Sequence, residues 1–188
     1  MNLPMIETPR LVLREVEIAD AYDMYEYAKL KDVGPNAGWK PHSSIAETKA
    51  TIKLFLSKGK YGQPGVYSIC LKETGKMIDT VELHTLSRDF KAELGYTINP
   101  KYWGNGYAVE ASKYIIAWGF AELNLKRIEC TAFSSNRKSS RVCEKLGLTY
   151  EGKRKKGYML YDGSCHDLDC YAIIDDEYED RILNQTWW

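Results

Sequence analysis

Apolar residues recur along the chain in two patterns, one typical of strands and the other typical of helices. Short apolar segments predict strands at 10–14, 66–71, 77–83, 92–98, 127–133, 148–153 and 168–174. The alternation of apolar and polar residues is clearest in the segment 127–133. Apolar residues at helical spacing predict a long helix over 107–123 and a short one over 138–146. These elements predict one mixed α/β domain with strands in the middle of the chain.

Two further helices are expected in the first third of the chain. The apolar face of the first consists of Ala21, Met24, Tyr25 and Ala28. The second begins after the capping box of Ser44 and Glu47. Its predicted buried residues are Ile45, Ile52, Phe55 and Leu56. Between the two helices, residues 32–41 include two glycines and two prolines, and this composition predicts a long loop of the kind that often serves function.

Glycine and proline mark several boundaries between these elements. Gly75 predicts a hairpin turn between the strands at 66–71 and 77–83, and residues 162–163 predict another between the last two strands. Pro100 ends the strand at 92–98, because proline has no N–H to donate. Gly147 stands where a C-cap glycine would end the short helix.

Composition and charge narrow the class of protein. The chain has 188 residues, which fits about one domain, and its 26 Lys+Arg balance 26 Asp+Glu. Zero net charge argues against nucleic-acid or membrane partners. No apolar run approaches the ~20 residues of a membrane span, and the first residues lack a signal-peptide pattern, so we expect a cytoplasmic protein. The five cysteines include no Cys-x-x-Cys, which favours free thiols over disulfides or a metal site.

The segment with the clearest chemistry joins a strand to the long helix. Trp103-Gly104-Asn105-Gly106-Tyr107-Ala108 places two glycines just before the helix begins. Glycine lets the backbone approach a ligand closely, and a helix N-terminus offers unpaired N–H groups that favour phosphate. The dinucleotide fingerprint needs a third glycine where Val109 stands, and the Gly-Lys-Ser/Thr of a P-loop is absent. The spacing alone therefore leaves a phosphate cradle and a purely structural turn as alternatives.

Three segments in series resemble the GNAT N-acetyltransferases. The segment 103–108 resembles the family's acetyl-CoA motif, Arg/Gln-x-x-Gly-x-Gly/Ala, although Trp103 replaces Arg or Gln. The segment 136–148 is similar to the family's downstream Asn-x-x-Ser…Glu-Lys-x-Gly-Phe. The opening Glu7-Thr8-Pro9-Arg10-Leu11-Val12-Leu13-Arg14 is similar to the start of the RimJ/RimL branch, which includes ribosomal-protein N-terminal acetyltransferases.

This resemblance implies a fold and a reaction. The implied fold is a mixed, largely antiparallel, splayed sheet flanked by helices, with the GNAT domain at 8–174 and a C-terminal tail at 175–188. An amine attacks the thioester of acetyl-CoA directly, an oxyanion forms, and a thiolate leaves. A bulge at Gly95 is expected to splay the sheet. The implied cofactor-binding residues, in pantetheine and pyrophosphate contacts, are Tyr96, Thr97, Ile98, Trp103, Gly104, Asn105, Gly106, Tyr107, Ala108 and Asn136.

The resemblance also implies the residues that move protons. Ser139 takes the position of the residue that protonates the leaving thiolate, with helix capping as the alternative for both it and Asn136. Glu93 resembles the strand glutamate that some members use as general base. Glu82 and His84 share one face of the preceding strand and are alternative bases. No metal is expected.

The acceptor stays open at this level. A protein N-terminal α-amine is the expectation that follows from the RimJ/RimL resemblance. The alternatives are a small-molecule acceptor, such as a polyamine, an amino acid or an antibiotic, and an acyl-CoA-binding regulatory module without turnover. The sequence likewise leaves open whether the chain acts alone or as a homodimer.

Overall fold

The computed structural model describes residues 3–188, and the predicted elements are found there in the expected order. The strands are β1 (Ile6–Glu7), β2 (Leu11–Glu15), β3 (Tyr67–Leu71), β4 (Met77–Ser87), β5 (Lys91–Tyr96), β6 (Arg127–Phe133), β7 (Thr149–Met159) and β8 (Cys165–Ile174). The α-helices are α1 (Ala21–Ala28), α2 (Ile45–Ser57), α3 (Tyr107–Leu123), α4 (Arg137–Lys145) and α5 (Asp175–Leu183). The bounds of α3 and β6 agree with the prediction residue for residue.

Within residues 3–188 the strands form one open, eight-stranded sheet in the order β1-β2-β3-β4-β5-β6-β8-β7. Pairing is antiparallel at β1–β2, β2–β3, β3–β4, β6–β8 and β8–β7. Strands β5 and β6 pair in parallel, and this pairing runs only from Lys91↔Arg127 to Glu93↔Glu129. The predicted fold class, a mixed and largely antiparallel sheet flanked by helices, is confirmed.

The chain divides into two compact units. One contains the residues up to Glu82 together with Tyr96–Ala111, and the other contains Leu83–Gly95 together with Ser112–Trp188. Among the described residues, no helix has the length and apolar character that crossing a membrane requires.

In the first unit, α1 and α2 cover an apolar cluster that corrects two predictions about helix faces. The cluster consists of Val16, Ala21, Met24, Tyr27, Ala28, Val33, Ile52, Val66, Cys70 and Met77. Tyr27 is fully buried, whereas Tyr25 is half-buried and donates its hydroxyl to the carbonyl of Ser43. On α2 Ile52 is buried as predicted, whereas Leu56 is exposed and Thr48, which was not predicted, is buried. On α1 the buried face therefore keeps Ala21, Met24 and Ala28 and has Tyr27 in place of Tyr25, and on α2 the buried stripe is narrower than predicted.

In the second unit, the acidic tail proves to be an integral part of the packing. Residues 175–183 form α5, which was not predicted, and Trp187 is 1% exposed. The Trp187 ring packs edge-on against Tyr178, and the Lys113 ammonium donates to the Trp187 carbonyl. The tail therefore covers part of the helix α3 that belongs to this unit.

The strand ends also differ from the prediction. Strands β4 and β7 extend to Ser87 and Met159, several residues beyond the predicted bounds. Strand β5 ends at Tyr96, yet the N–H groups of Thr97 and Asn99 still donate to β4, at 3.2 Å from the carbonyls of Thr80 and Ile78. The segment 97–99 therefore stays paired on one edge after the regular ladder ends. The hairpin turn at Gly75, with φ of 69°, is confirmed.

Candidate active site

The glycine loop has the geometry of a helix start built for close backbone approach. A short 3₁₀ turn over Pro100–Tyr102 leads into Gly104 and Gly106, whose φ angles of 82° and 80° lie in the left-handed region. Side chains are disfavoured there, so both positions require glycine. The first bond of α3 runs from the N–H of Glu110 to the carbonyl of Gly106, at 3.0 Å. The N–H groups that precede Glu110 have no acceptor within the helix.

A network that the sequence did not predict holds this loop. Glu110, in the first turn of α3, accepts from the Thr8 hydroxyl at 2.6 Å and from the Arg10 N–H at 2.9 Å. The Arg10 Nε donates to the same carboxylate at 2.6 Å, and its Nη1 donates to the Asn105 carbonyl at 2.9 Å. Burial raises the pKa of Glu110, but the bonds from Thr8 and Arg10 outweigh it and hold that pKa below its ordinary value.

Trp103, the departure from the family motif, has a structural role. Its indole Nε1 donates to the Ile98 carbonyl at 2.7 Å, which holds the loop against the segment 97–99 that follows β5. Because the N–H groups of Thr97 and Asn99 point toward β4, the N–H of Ile98 lies on the opposite edge of this extended segment. Of the three residues expected to pair with pantetheine, Ile98 thus presents its N–H away from β4.

A buried carboxyl, that of Asp79 on β4, contacts the segment 97–99. Asp79 is fully buried and accepts from the Thr80 N–H at 2.6 Å and from the Thr97 hydroxyl. Burial raises the pKa of Asp79 to about 7, although the Thr97 and Thr80 donors oppose that rise. Burial also raises the pKa of the neighbouring Tyr27, and the charge of Asp79 adds to that rise. The Asp79 carboxyl therefore holds Thr97, just after the end of β5, by a side-chain hydrogen bond that the sequence did not predict.

Helix α4 begins in a different way, with its own side-chain cap. The Asn136 Oδ1 accepts from the N–H of Ser139 at 3.2 Å, so the capping role of Asn136 is observed. Ser139 is half-buried in the first turn of α4. Its N–H is therefore used by the cap, and its place in the turn is set by the residue three positions earlier.

The sequence profile of the "Acetyltransferase (GNAT) domain" matches residues 10–149, which is more than half of the chain. The chain belongs to the GNAT acetyltransferase family. An uncharacterized N-acetyltransferase of Bacillus subtilis, YoaA, is 30% identical over 172 residues, which cover 91% of this chain and 97% of YoaA. The protein is accordingly an N-acetyltransferase, as the three motifs in series predicted.

Solved GNAT structures have the same fold. A GNAT-family acetyltransferase from Bacillus anthracis has a TM-score of 0.83 at 27% identity, with 93% of this chain and 100% of that chain covered. RimL, a ribosomal L7/L12 α-N-protein acetyltransferase in complex with coenzyme A, has a TM-score of 0.80 at 19% identity, with 93% and 99% covered. At that identity, the RimL comparison supports the fold alone.

The three candidate bases of this GNAT acetyltransferase have different surroundings. Glu93, on β5, accepts from the Thr131 hydroxyl of β6 at 2.6 Å. Glu82, in the first unit, forms an ion pair with the Lys58 ammonium. The His84 Nδ1 lies 2.9 Å from the hydroxyl of its neighbour Thr85. Alternating burial along β4 confirms that Glu82 and His84 lie on one face of that strand.

Proposed function

We propose that this N-acetyltransferase moves the acetyl group of acetyl-CoA to the α-amine of a protein N-terminus. The proposal that acetyl-CoA is the donor rests on the loop 103–108, in which two glycines with left-handed φ lead into the N-terminus of α3. The acceptor half rests on the resemblance of the opening segment, Glu7 to Arg14, to the RimJ/RimL branch.

The donor is held mainly by backbone groups in this proposal. The N–H groups of Tyr107 and Ala108, at the positive end of α3, bind the pyrophosphate. Gly106 is exposed, and a Cβ built there would have only Arg10 Nη2 within 4 Å, at 3.6 Å, so there is open space beside this residue for the phosphates. The N–H of Ile98 pairs with the pantetheine arm in the manner of an added strand. Asn105 supplies backbone to the same loop.

Ser139 and Glu93 have the two proton-transfer roles. The amine nitrogen bonds to the acetyl carbon and the carbon–sulfur bond breaks. Glu93 takes the proton that the amine loses and releases it to solvent, and the Ser139 hydroxyl gives its proton to the departing thiolate and is reprotonated from solvent. Glu93 is favoured over Glu82 because it accepts from a neutral hydroxyl, whereas Glu82 is already paired with an ammonium group. His84 is the remaining alternative.

The acceptor is tested with peptides of matched sequence. Peptides with a free α-amine should release CoA in the presence of acetyl-CoA, as measured with a thiol reagent. Copies with an N-terminal acetyl group should give only the background rate, even when they contain a lysine. A mass increase confined to the first residue completes the assignment.

Two outcomes would contradict this function. Turnover of polyamines, amino acids or aminoglycosides with inert peptides would establish a small-molecule acetyltransferase. Binding of acetyl-CoA with no turnover of any amine would identify a regulatory module instead.

A further inference from the structure

The guanidinium of Arg10 is fixed at the glycine loop from three directions. Its Nε is bound to Glu110, its Nη1 to the Asn105 carbonyl, and its carbon centre lies 4.5 Å from the centroid of the Tyr107 ring. The remaining nitrogen, Nη2, lies 3.6 Å from the position that a Cβ on Gly106 would occupy. The side chain is 48% exposed. A charged donor therefore stands, already ordered, beside the residue that caps α3.

We propose that Arg10 is a phosphate-binding residue of the acetyl-CoA site, with Nη2 donating to the pyrophosphate. This assignment rests on the proposed function, because it requires the loop to hold a pyrophosphate. Arginine presents its donors in a rigid plane, so the two that hold Glu110 and Asn105 direct the third. The conformational freedom that a flexible side chain would lose on binding phosphate is already lost when the protein folds.

The same geometry explains how the motif tolerates Trp103. The family motif has Arg or Gln at that position, and here the indole is instead used to hold the Ile98 carbonyl. Arg10 brings a guanidinium to the loop from β2's N-terminal side, 95 positions away from Asn105 in sequence. The loop thus regains a side-chain donor from a segment that the motif does not include.

Glu110 places a carboxylate in the turn where a phosphate would bind, so Arg10 has two separable effects. It neutralises that carboxylate, and in the proposal it also donates directly to phosphate. A variant that removes both charges separates these effects. Arg10→Gln alone leaves Glu110 unneutralised, whereas Arg10→Gln with Glu110→Gln leaves no charge and no donor at Nη2.

The experiment measures CoA binding by calorimetry and turnover with two donors, acetyl-CoA and S-acetylpantetheine, which lacks the pyrophosphate. Arg10→Gln should raise the Kd for CoA and the KM for acetyl-CoA roughly 10- to 100-fold, the range expected for one charge-assisted hydrogen bond. It should leave kcat/KM for S-acetylpantetheine within about twofold of wild type, because this donor has no pyrophosphate for Arg10 to contact. Arg88→Gln, an exposed arginine elsewhere, is the matched control and should change neither.

Two further variants keep the assignment falsifiable. The double variant should bind CoA as weakly as Arg10→Gln to within about threefold; full recovery would reduce Arg10 to a neutraliser of Glu110 and overturn the assignment. Arg10→Lys keeps the charge but not the three-way fork, so it should lose most of the CoA affinity even if Arg10→Gln fails to fold. An equal loss of kcat/KM with acetyl-CoA and with S-acetylpantetheine in Arg10→Gln would also overturn the assignment. A wild type that binds no CoA would instead refute the proposed function.

Discussion

The N-termini of α3 and α4 differ in what accepts hydrogen bonds from their first backbone N–H groups. At α4 the side chain of Asn136 accepts from the N–H of Ser139, so the turn is satisfied from within. At α3 the corresponding residue is Gly106, which has no side chain to accept anything. Every helix begins with unpaired donors, and the residue at the cap decides whether the chain or a ligand takes them. The start of α4 therefore fixes the position of Ser139, whereas the start of α3 leaves its backbone N–H groups available to a ligand.

This comparison predicts that variants of the two regions separate in kinetics. Changes at the α4 start should lower kcat and leave cofactor affinity intact. Changes at the α3 start should weaken acetyl-CoA binding.

Ser139→Ala should give the largest effect, a fall in kcat of roughly 10²- to 10⁴-fold, the usual value of a positioned proton donor. The Kd for acetyl-CoA should change little, and the melting temperature should hold because the backbone N–H to Asn136 is kept. Steady-state kinetics and calorimetry measure the two constants, with Ser87→Ala, an exposed serine, as control. Wild-type kcat in Ser139→Ala would show that the serine only shapes the turn, with a tyrosine or water as donor.

Gly106→Val should remove acetyl-CoA binding through both strain and blocked approach. Wild type should be stabilised by about 2.7 kcal/mol at acetyl-CoA concentrations of 100 Kd, and the variant by almost nothing. Gly75→Val is the matched control, since Gly75 also has a positive φ, 69°, with nothing within 4 Å of its Cβ position. Both variants should lose roughly 1–3 kcal/mol of stability in the ligand-free state. Equal ligand shifts in Gly106→Val and wild type would place the phosphates elsewhere.

Glu93→Gln should give the smallest effect, and one that depends on pH. An α-amine has a pKa near ~7.7–8.0, so the neutral nucleophile is scarce at pH 6 and abundant at pH 9. Loss of a base should therefore cost about tenfold or more in kcat/KM at pH 6 and much less at pH 9. A pH–rate profile beside that of Glu122→Gln, an exposed carboxylate on α3, measures the difference. A deficit independent of pH would make Glu93 structural and leave Glu82 or His84 as the base.

Local sequence patterns correctly predicted the features that depend on residues close together in the chain. The bounds of α3 and β6, the turn at Gly75 and the C-cap at Gly147 all depend on residues within a few positions of one another. The same holds for the cap at Asn136, because its partner Ser139 is three residues away. Such features can be predicted because propensity, capping and left-handed φ are properties of a short segment.

The predictions were wrong where contacts between elements distant in sequence decide which side chains are buried. On α1, Tyr27 rather than Tyr25 is buried, and on α2 Leu56 is exposed, since neighbouring elements decide which stripe of a helix is covered. The acidic tail gave no pattern that predicted α5, and Trp187 is buried through its contacts with Tyr178 and Lys113. Helix propensity is a weak guide wherever packing of this kind decides.

The sequence by itself determined the family, the order of the elements and the glycine loop that opens α3, because each is written in contiguous residues. Only the tertiary structure brought Arg10 to Glu110, 100 positions apart, and Thr97 to Asp79, 18 positions apart. Side chains so far apart in sequence meet only when strands pair and helices pack, and no local period encodes which ones meet. The backbone of the candidate donor site was therefore predictable, while the side chains that hold it in place were not.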